Sequence, residues 1–192
     1  MDIIPGAPSE QPTFYYDIGD PDCYLVAERI MGELPIVPEW EPVHGPQIGF
    51  VPSAPTAELA SIVAEQGLQP LRLPEHWPPD SELAMLTATF AKRGAKAVAF
   101  SLAAFRQAFA GGRELGDEGT VLIAAAACEM HPRAVLKGVG LRSVTAGLRE
   151  AGERARAAGV RALPAIELGD AIFQGPDALD RALEWTTAAH RL

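Results

Sequence analysis

Hydrophobic and polar positions along the chain first become regular between Thr13 and Leu34. Thr13–Tyr16 is a β-branched and aromatic run that predicts a short strand. A tight polar turn, Asp20-Pro21-Asp22-Cys23, follows it. Leu25, Val26, Ile30, Met31 and Leu34 then recur at three- and four-residue spacing, which predicts a helix with one apolar face. Asp20 suits the N-cap, because its carboxylate accepts from the free N–H groups of the first turn. Pro21 suits the first helical position, and Asp22 places negative charge at the positive end of the helix dipole. Leu34-Pro35 ends the helix, since the residue before a proline avoids helical conformation.

Beyond it, Ile36–Val43 alternates apolar and polar side chains and predicts a second strand, with Pro38 and Pro42 placing it at an edge. Seven prolines from Pro46 to Pro79 break up the next stretch, leaving one helix over Thr56–Gln66. Helices are expected over Ser81–Lys92, Ala95–Ala110, Asp117–Met130 and Leu141–Ala158. In the second of these Val98, Leu102, Phe105 and Phe109 form an apolar stripe, with Phe100 flanking it. Ala165–Leu168 and Ala171–Phe173, separated by Gly169-Asp170, predict a β-hairpin. Gln174-Gly175-Pro176-Asp177 then leads into a last helix carrying Leu179, Leu183 and Trp185.

Composition narrows the field of partners. A net charge of −9 over 192 residues argues against nucleic acid or an anionic membrane. The lead Met1–Pro12 is rich in proline and small residues, so it is expected to be loose, and it lacks the basic and apolar regions of a signal peptide. The longest apolar run, Val121–Cys128, is too short to span a bilayer. A cytoplasmic location is expected. Cys23 and Cys128 define no disulfide framework. Cys128 and His131 have the spacing of a metal-ligand pair, but no second pair completes a site. His44, His76 and Trp77 are candidates to line a cleft.

The stretch from Asp20 to Val26 resembles Ser-Pro-Tyr-Ser-Tyr-Leu-Ala of the 2-hydroxychromene-2-carboxylate isomerases and kappa-class glutathione transferases. It also sits where DsbA-family thioredoxin-like proteins carry Cys-Pro-X-Cys. Gly159–Ile166 is similar to that family's Gly-Val-X-Gly-Val-Pro-Thr-Phe, which implies that Pro164 is cis and faces the turn. Ala91–Gly112 resembles its helical insertion. The fold implied is α/β: a thioredoxin-like domain over residues 10–43 plus 160–192, with a large all-helical insertion over 44–159.

The resemblance implies thiol chemistry, either disulfide exchange or glutathione-dependent isomerisation. Asp20 and Cys23 then fall at the catalytic positions, and Leu163, Pro164 and Asp177 at those that hold a glutathione or peptide backbone. Glutathione is a possible cosubstrate, with no cofactor bound tightly. Asp20 occupies the nucleophile position, so the dithiol cycle cannot run. Its N-cap bond and the helix dipole favour the charged form, which would repel a glutathione thiolate. The competing reading is a non-catalytic thioredoxin-fold protein that binds a peptide, partner or small molecule in the inherited cleft. A homodimer is left open.

Overall fold

The computed structural model describes residues 11–189, so the lead Met1–Glu10 lies outside the described residues. Thr13–Tyr16 forms β1, Pro21–Glu33 forms α1 and Glu39–Pro42 forms β2. β1 and β2 run parallel, with α1 as the crossover between them. β2 is shorter than the alternation over Ile36–Val43 predicts. Pro38 has no N–H to give a ladder, and pairing starts only at Glu39, whose N–H donates to Pro12 O at 2.7 Å. Ile36 and Val37 are left exposed.

At the far end Ala165–Leu168 (β3) and Ala171–Gln174 (β4) form the expected antiparallel hairpin, with Gly169 at φ 58° in its turn. Ala178–Ala189 (α8) closes the unit. β3 pairs antiparallel with β1, giving the sheet order β2-β1-β3-β4 and placing β2 at an edge. This is the β-α-β then β-β-α arrangement expected of a thioredoxin-like fold.

Between the two parts lie a 3-10 turn at Gly45–Ile48 and six helices. They are α2 (Ala57–Glu65), α3 (Glu82–Lys92), α4 (Ala97–Phe109), α5 (Glu118–Ala126), α6 (Pro132–Val139) and α7 (Arg142–Ala158). α5 stops four residues before the predicted Met130, because the chain turns through Glu129 at φ 57°. Lys96 Nζ satisfies carbonyls freed there, donating to Cys128 O at 2.7 Å and Glu129 O at 3.2 Å. α6 was not anticipated. It begins with Pro132 at N1 and a histidine cap, His131 Nδ1 accepting from Arg133 N at 3.2 Å.

One face of the sheet carries the core. Phe14 and Tyr16 of β1 stack at 5.3 Å and meet Trp40 of β2 edge-on at 5.0 and 5.3 Å. Tyr24 of α1 and Phe105 and Phe109 of α4 extend this aromatic group into the insertion. Phe100 is fully buried with Phe105 and Phe109, while Val98 and Leu102 are only half-buried, so the buried face of α4 is rotated from the predicted stripe. Met31 is likewise exposed, whereas Leu25, Val26, Ile30 and Leu34 are buried. The opposite sheet face is polar. There Tyr15 donates to Glu167 at 2.5 Å, and Glu41 takes Lys92 at 2.6 Å and Arg154 at 3.4 Å.

Candidate functional site

The C-terminal end of β1 delivers the chain into the turn that starts α1, and Asp17 holds that turn. Its Oδ1 accepts from Gly19 N at 2.8 Å, and its Oδ2 accepts from Gly45 N at 2.7 Å, tying the turn to the loop after β2. Asp17 is 1% exposed. Nothing in the sequence reading singled it out, although Asp-X-Gly is the signature of a side chain that bonds its own backbone two residues on.

Asp20 follows as the N-cap. Its Oδ1 takes a long bond from Asp22 N at 3.4 Å, and Tyr24 N donates to Asp20 O at 3.2 Å to begin the helix. The charge expected for Asp20 is corrected by its surroundings. The residue is 1% exposed, and its Oδ2 is buried without a hydrogen-bond partner. Burial pushes its carboxyl up to about 8, with the Asp22 and Asp17 carboxylates acting in the same direction. The Cys23 thiol beside it and the Asp22 N–H oppose this without overcoming it. Loss of hydration on burial outweighs both, which favours the neutral carboxyl around pH 7.

Cys23 is wholly buried, and burial followed by the Asp20 charge pushes its thiol well above the ordinary range. It is a thiol in the native protein and is not placed to attack a disulfide. Native protein at pH 7.5 should leave Cys23 unmodified by iodoacetamide, at a rate at least ~100-fold below that of a free thiol, with full labelling in denaturant. Peptide mass mapping checks this, and rapid native labelling at Cys23 contradicts it.

The opposing wall comes from the chain's far end. Leu163 and Pro164 are buried and joined by a cis peptide; a second cis peptide joins Trp77 and Pro78. The pairing of Ala165 with Tyr15 in antiparallel register puts Pro164 at the turn end of β1. Gln174 fastens the approach to this proline, a role with no sequence signal. Its Oε1 accepts from Arg161 N at 2.6 Å and Ala162 N at 3.0 Å, and its Nε2 donates to Gly159 O at 3.2 Å. Pro164 O accepts from Gly175 N at 2.9 Å, so Asp177 lies just past the strand that pairs with the proline. Asp177 itself is exposed and pairs with Arg181 at 3.6 Å.

The insertion covers the turn from above. A Cβ built on Gly19 would lie 3.0 Å from Ser81 Cβ, so any side chain there would press on the start of α3. Ile18 N donates to Met85 Sδ at 3.2 Å. Tyr16 and Ser101 hydroxyls lie 2.7 Å apart beneath it. His44 is half-buried next to Gly45, at the loop that Asp17 holds. His76 is exposed and pairs with Glu114 at 3.3 Å, while Trp77 packs half-buried on the core. Cys128 and His131 are not brought together as ligands. The thiol donates to Ala124 O at 3.4 Å, the histidine caps α6, and no metal-binding cluster occurs among the described residues.

No protein-family model matches the chain, and no curated protein matches it by sequence. Solved structures do match. A 2-hydroxychromene-2-carboxylate isomerase aligns with TM-score 0.80 and 18% identity over 95% of both chains. A protein described as a probable DsbA oxidoreductase from Streptomyces coelicolor aligns with TM-score 0.74 and 16% identity, over 94% of this chain and 89% of the other. A thioredoxin-like oxidoreductase from Silicibacter pomeroyi DSS-3 gives TM-score 0.62 and 16% identity, over 95% and 87%. The fold is thus the DsbA-like thioredoxin fold, with its helical insertion. No described helix is long and apolar enough to cross a membrane.

Proposed function

We propose that this protein binds a low-molecular-weight thiol, with glutathione as the candidate cosubstrate, and uses it in isomerase-type chemistry with Asp20 as the proton donor and acceptor. The carrying observation is the buried Asp20 carboxyl at the head of α1, neutral near pH 7 and with Oδ2 unpartnered. A neutral carboxyl donates an O–H to a thiolate, as a hydroxyl would, and avoids the repulsion expected of an aspartate. Its proton affinity lies close to that of a thiol, which suits a proton shared between the two groups. Burial of the site strengthens that exchange.

In such a reaction the ligand thiolate adds to an activated double bond of the acceptor while the neutral Asp20 carboxyl gives its proton to the enolate oxygen that forms. Rotation about the resulting single bond follows. Elimination of the thiolate then returns that proton to the Asp20 carboxylate, so bonds and protons balance without an oxidant. Leu163, at the cis peptide, offers backbone groups to the thiol's peptide portion, and Asp177 is the candidate for its amino end. The likeness to the isomerase structure supports the reaction class. The covering of the turn by Ser81 and Met85 favours the second reading, a non-catalytic binding protein.

Calorimetry with glutathione across pH 6 to 9.5 tests the reading. Wild-type binding should be strongest below pH 8 and fall as pH rises through about 8, where two anions would share the site. Asp20→Ala should weaken binding at least ~10-fold, and Asp20→Ser should retain most of it. Equal binding by Asp20→Ala, or Cys23-dependent reduction of insulin disulfides, overturns the reading. No glutathione binding at any pH leaves the non-catalytic protein.

A further inference from the structure

The sheet has two edges, and they are built differently. β2 forms one, with Pro38 and Pro42 beside or within it and its Glu39 and Glu41 carboxylates held by Lys92 and Arg154 of the insertion. β4 forms the other. It carries no proline and no charged side chain, the devices by which an edge strand is kept from pairing. Bonded and open pairs alternate along an antiparallel ladder. Gly175 N bonds Pro164 O at 2.9 Å, so Phe173 and Ile166 form a bonded pair, and Ile172 and Gln174 turn their N–H and C=O groups to the free side. Beside this edge Phe173 lies 6.3 Å from Trp185 of α8, the one large aromatic side chain exposed among the described residues. The two ends of β4 differ in charge. Asp170 stands exposed at the turn, with no hydrogen-bond or ion-pair partner among the described residues. At the other end Gln174 holds Arg161 N at 2.6 Å, and the Arg161 guanidinium meets only the carbonyls of Arg156 and Val160. Asp177 at that end is offset by Arg181.

Independently of the thiol reading, we infer that β4 is the surface on which a second copy of this chain docks. The two β4 strands pair antiparallel across a two-fold axis and join both sheets into one. With the axis at Phe173, Ile172 of each copy faces Gln174 of the other, and the outward backbone groups satisfy one another. Antiparallel pairing also carries the Asp170 end of each copy to the Arg161 end of the other, so opposite charges meet at both ends of the joint. A two-fold axis perpendicular to the sheet keeps each face on its own side. α8 packs on both β3 and β4. The two α8 helices therefore come together over the joint, where they cover Trp185 and Phe173. The edge is complementary to itself in hydrogen bonding and in charge, whereas an unrelated strand matches it only in the first. The occupant is for that reason a second copy.

Light scattering on the full chain, at tens of micromolar, should give twice the chain mass of 20.4 kDa. Hydrogen exchange should find the Ile172 and Gln174 amides protected. Asp170→Arg and Arg161→Asp should each raise the dimer dissociation constant at least ~10-fold and release both amides, because like charges then meet at both ends. The exchange Asp170→Arg with Arg161→Asp restores the complement and should return the constant to within about threefold of wild type. Asp170 has no side-chain bond to lose, so Asp170→Arg alone probes the joint in a folded chain, with circular dichroism as the check. A monomeric wild type overturns the inference. Protection of these amides in a monomer does so too, since the edge is then closed by something other than a second copy. A dimer whose constant neither single variant moves places the interface elsewhere, with the same consequence.

Discussion

Asp20→Asn should be about 3 kcal/mol more stable than the wild-type protein at pH 8, and equal to it near pH 4. The folded Asp20 carboxyl keeps its proton up to about 8, whereas the unfolded one releases it near its ordinary value of 3.8. Folding therefore takes up a proton between those limits. The contribution of this group to stability is full below the unfolded value and is lost as pH rises toward the folded one. Each pH unit inside the window costs about 1.4 kcal/mol, so the upper bound is roughly 5 kcal/mol. Relaxation of the turn and entry of water reduce the measured figure below that bound. Asparagine has the same shape and no charge to release, so its stability should lack this slope. Urea unfolding of both proteins at pH 4, 6, 7 and 8 measures the difference directly, because all other titrating groups are shared. Parallel curves would show that Asp20 is ionised in the fold.

The second large effect is expected at Asp17. Asp17→Ala should lower stability by about 3 kcal/mol, and Asp17→Asn should be nearly as damaging. Alanine leaves the Gly19 and Gly45 N–H groups buried without acceptors, where the carboxylate now takes both at 2.8 and 2.7 Å. Unmet buried donors cost about 1–3 kcal/mol each, and these two bonds are charge-assisted. Asparagine supplies one carbonyl oxygen but points its amide hydrogens at the other donor. A space-filling substitution is no remedy, because the closeness of Asp17 to both glycines is itself part of the packing. Chemical unfolding at pH 7 gives the comparison. A loss under about 1 kcal/mol for Asp17→Ala would mean that water or the loop replaces the carboxylate at little cost.

The local order of elements was legible in the chain because each depends on near neighbours. Asp20-Pro21 specifies the start of α1 through the cap and the fixed φ of proline, and the structure shows both in place. Gly169-Asp170 specifies the hairpin through a residue that tolerates positive φ. Where an element's extent depended on distant partners, local pattern misled. β2 shrank to the residues that β1 pairs with, the buried face of α4 followed the aromatic rings of β1 and α1, and α5 ended where Lys96 could cap it. α6 escaped notice because its eight residues carry little periodicity, and a histidine supplies its cap.

The candidate site divides in the same way. The resemblance at the two ends of the chain implied that Asp20, Cys23 and Pro164 belong together, and the pairing of β1 with β3 is what brings those two ends side by side. The sequence also determined that one cysteine at the turn cannot run a dithiol cycle, since that requires two thiols whatever the fold. The protonation of Asp20 was not readable. Local chemistry, a cap and a helix dipole, pointed to an anion, while burial of the carboxyl in the packed fold, where Ser81 and Met85 close on the neighbouring Gly19 and Ile18, favours the acid. Capping acts over one helical turn and is encoded within it. Desolvation depends on everything that excludes water from the atom, and only the packed tertiary structure fixes that.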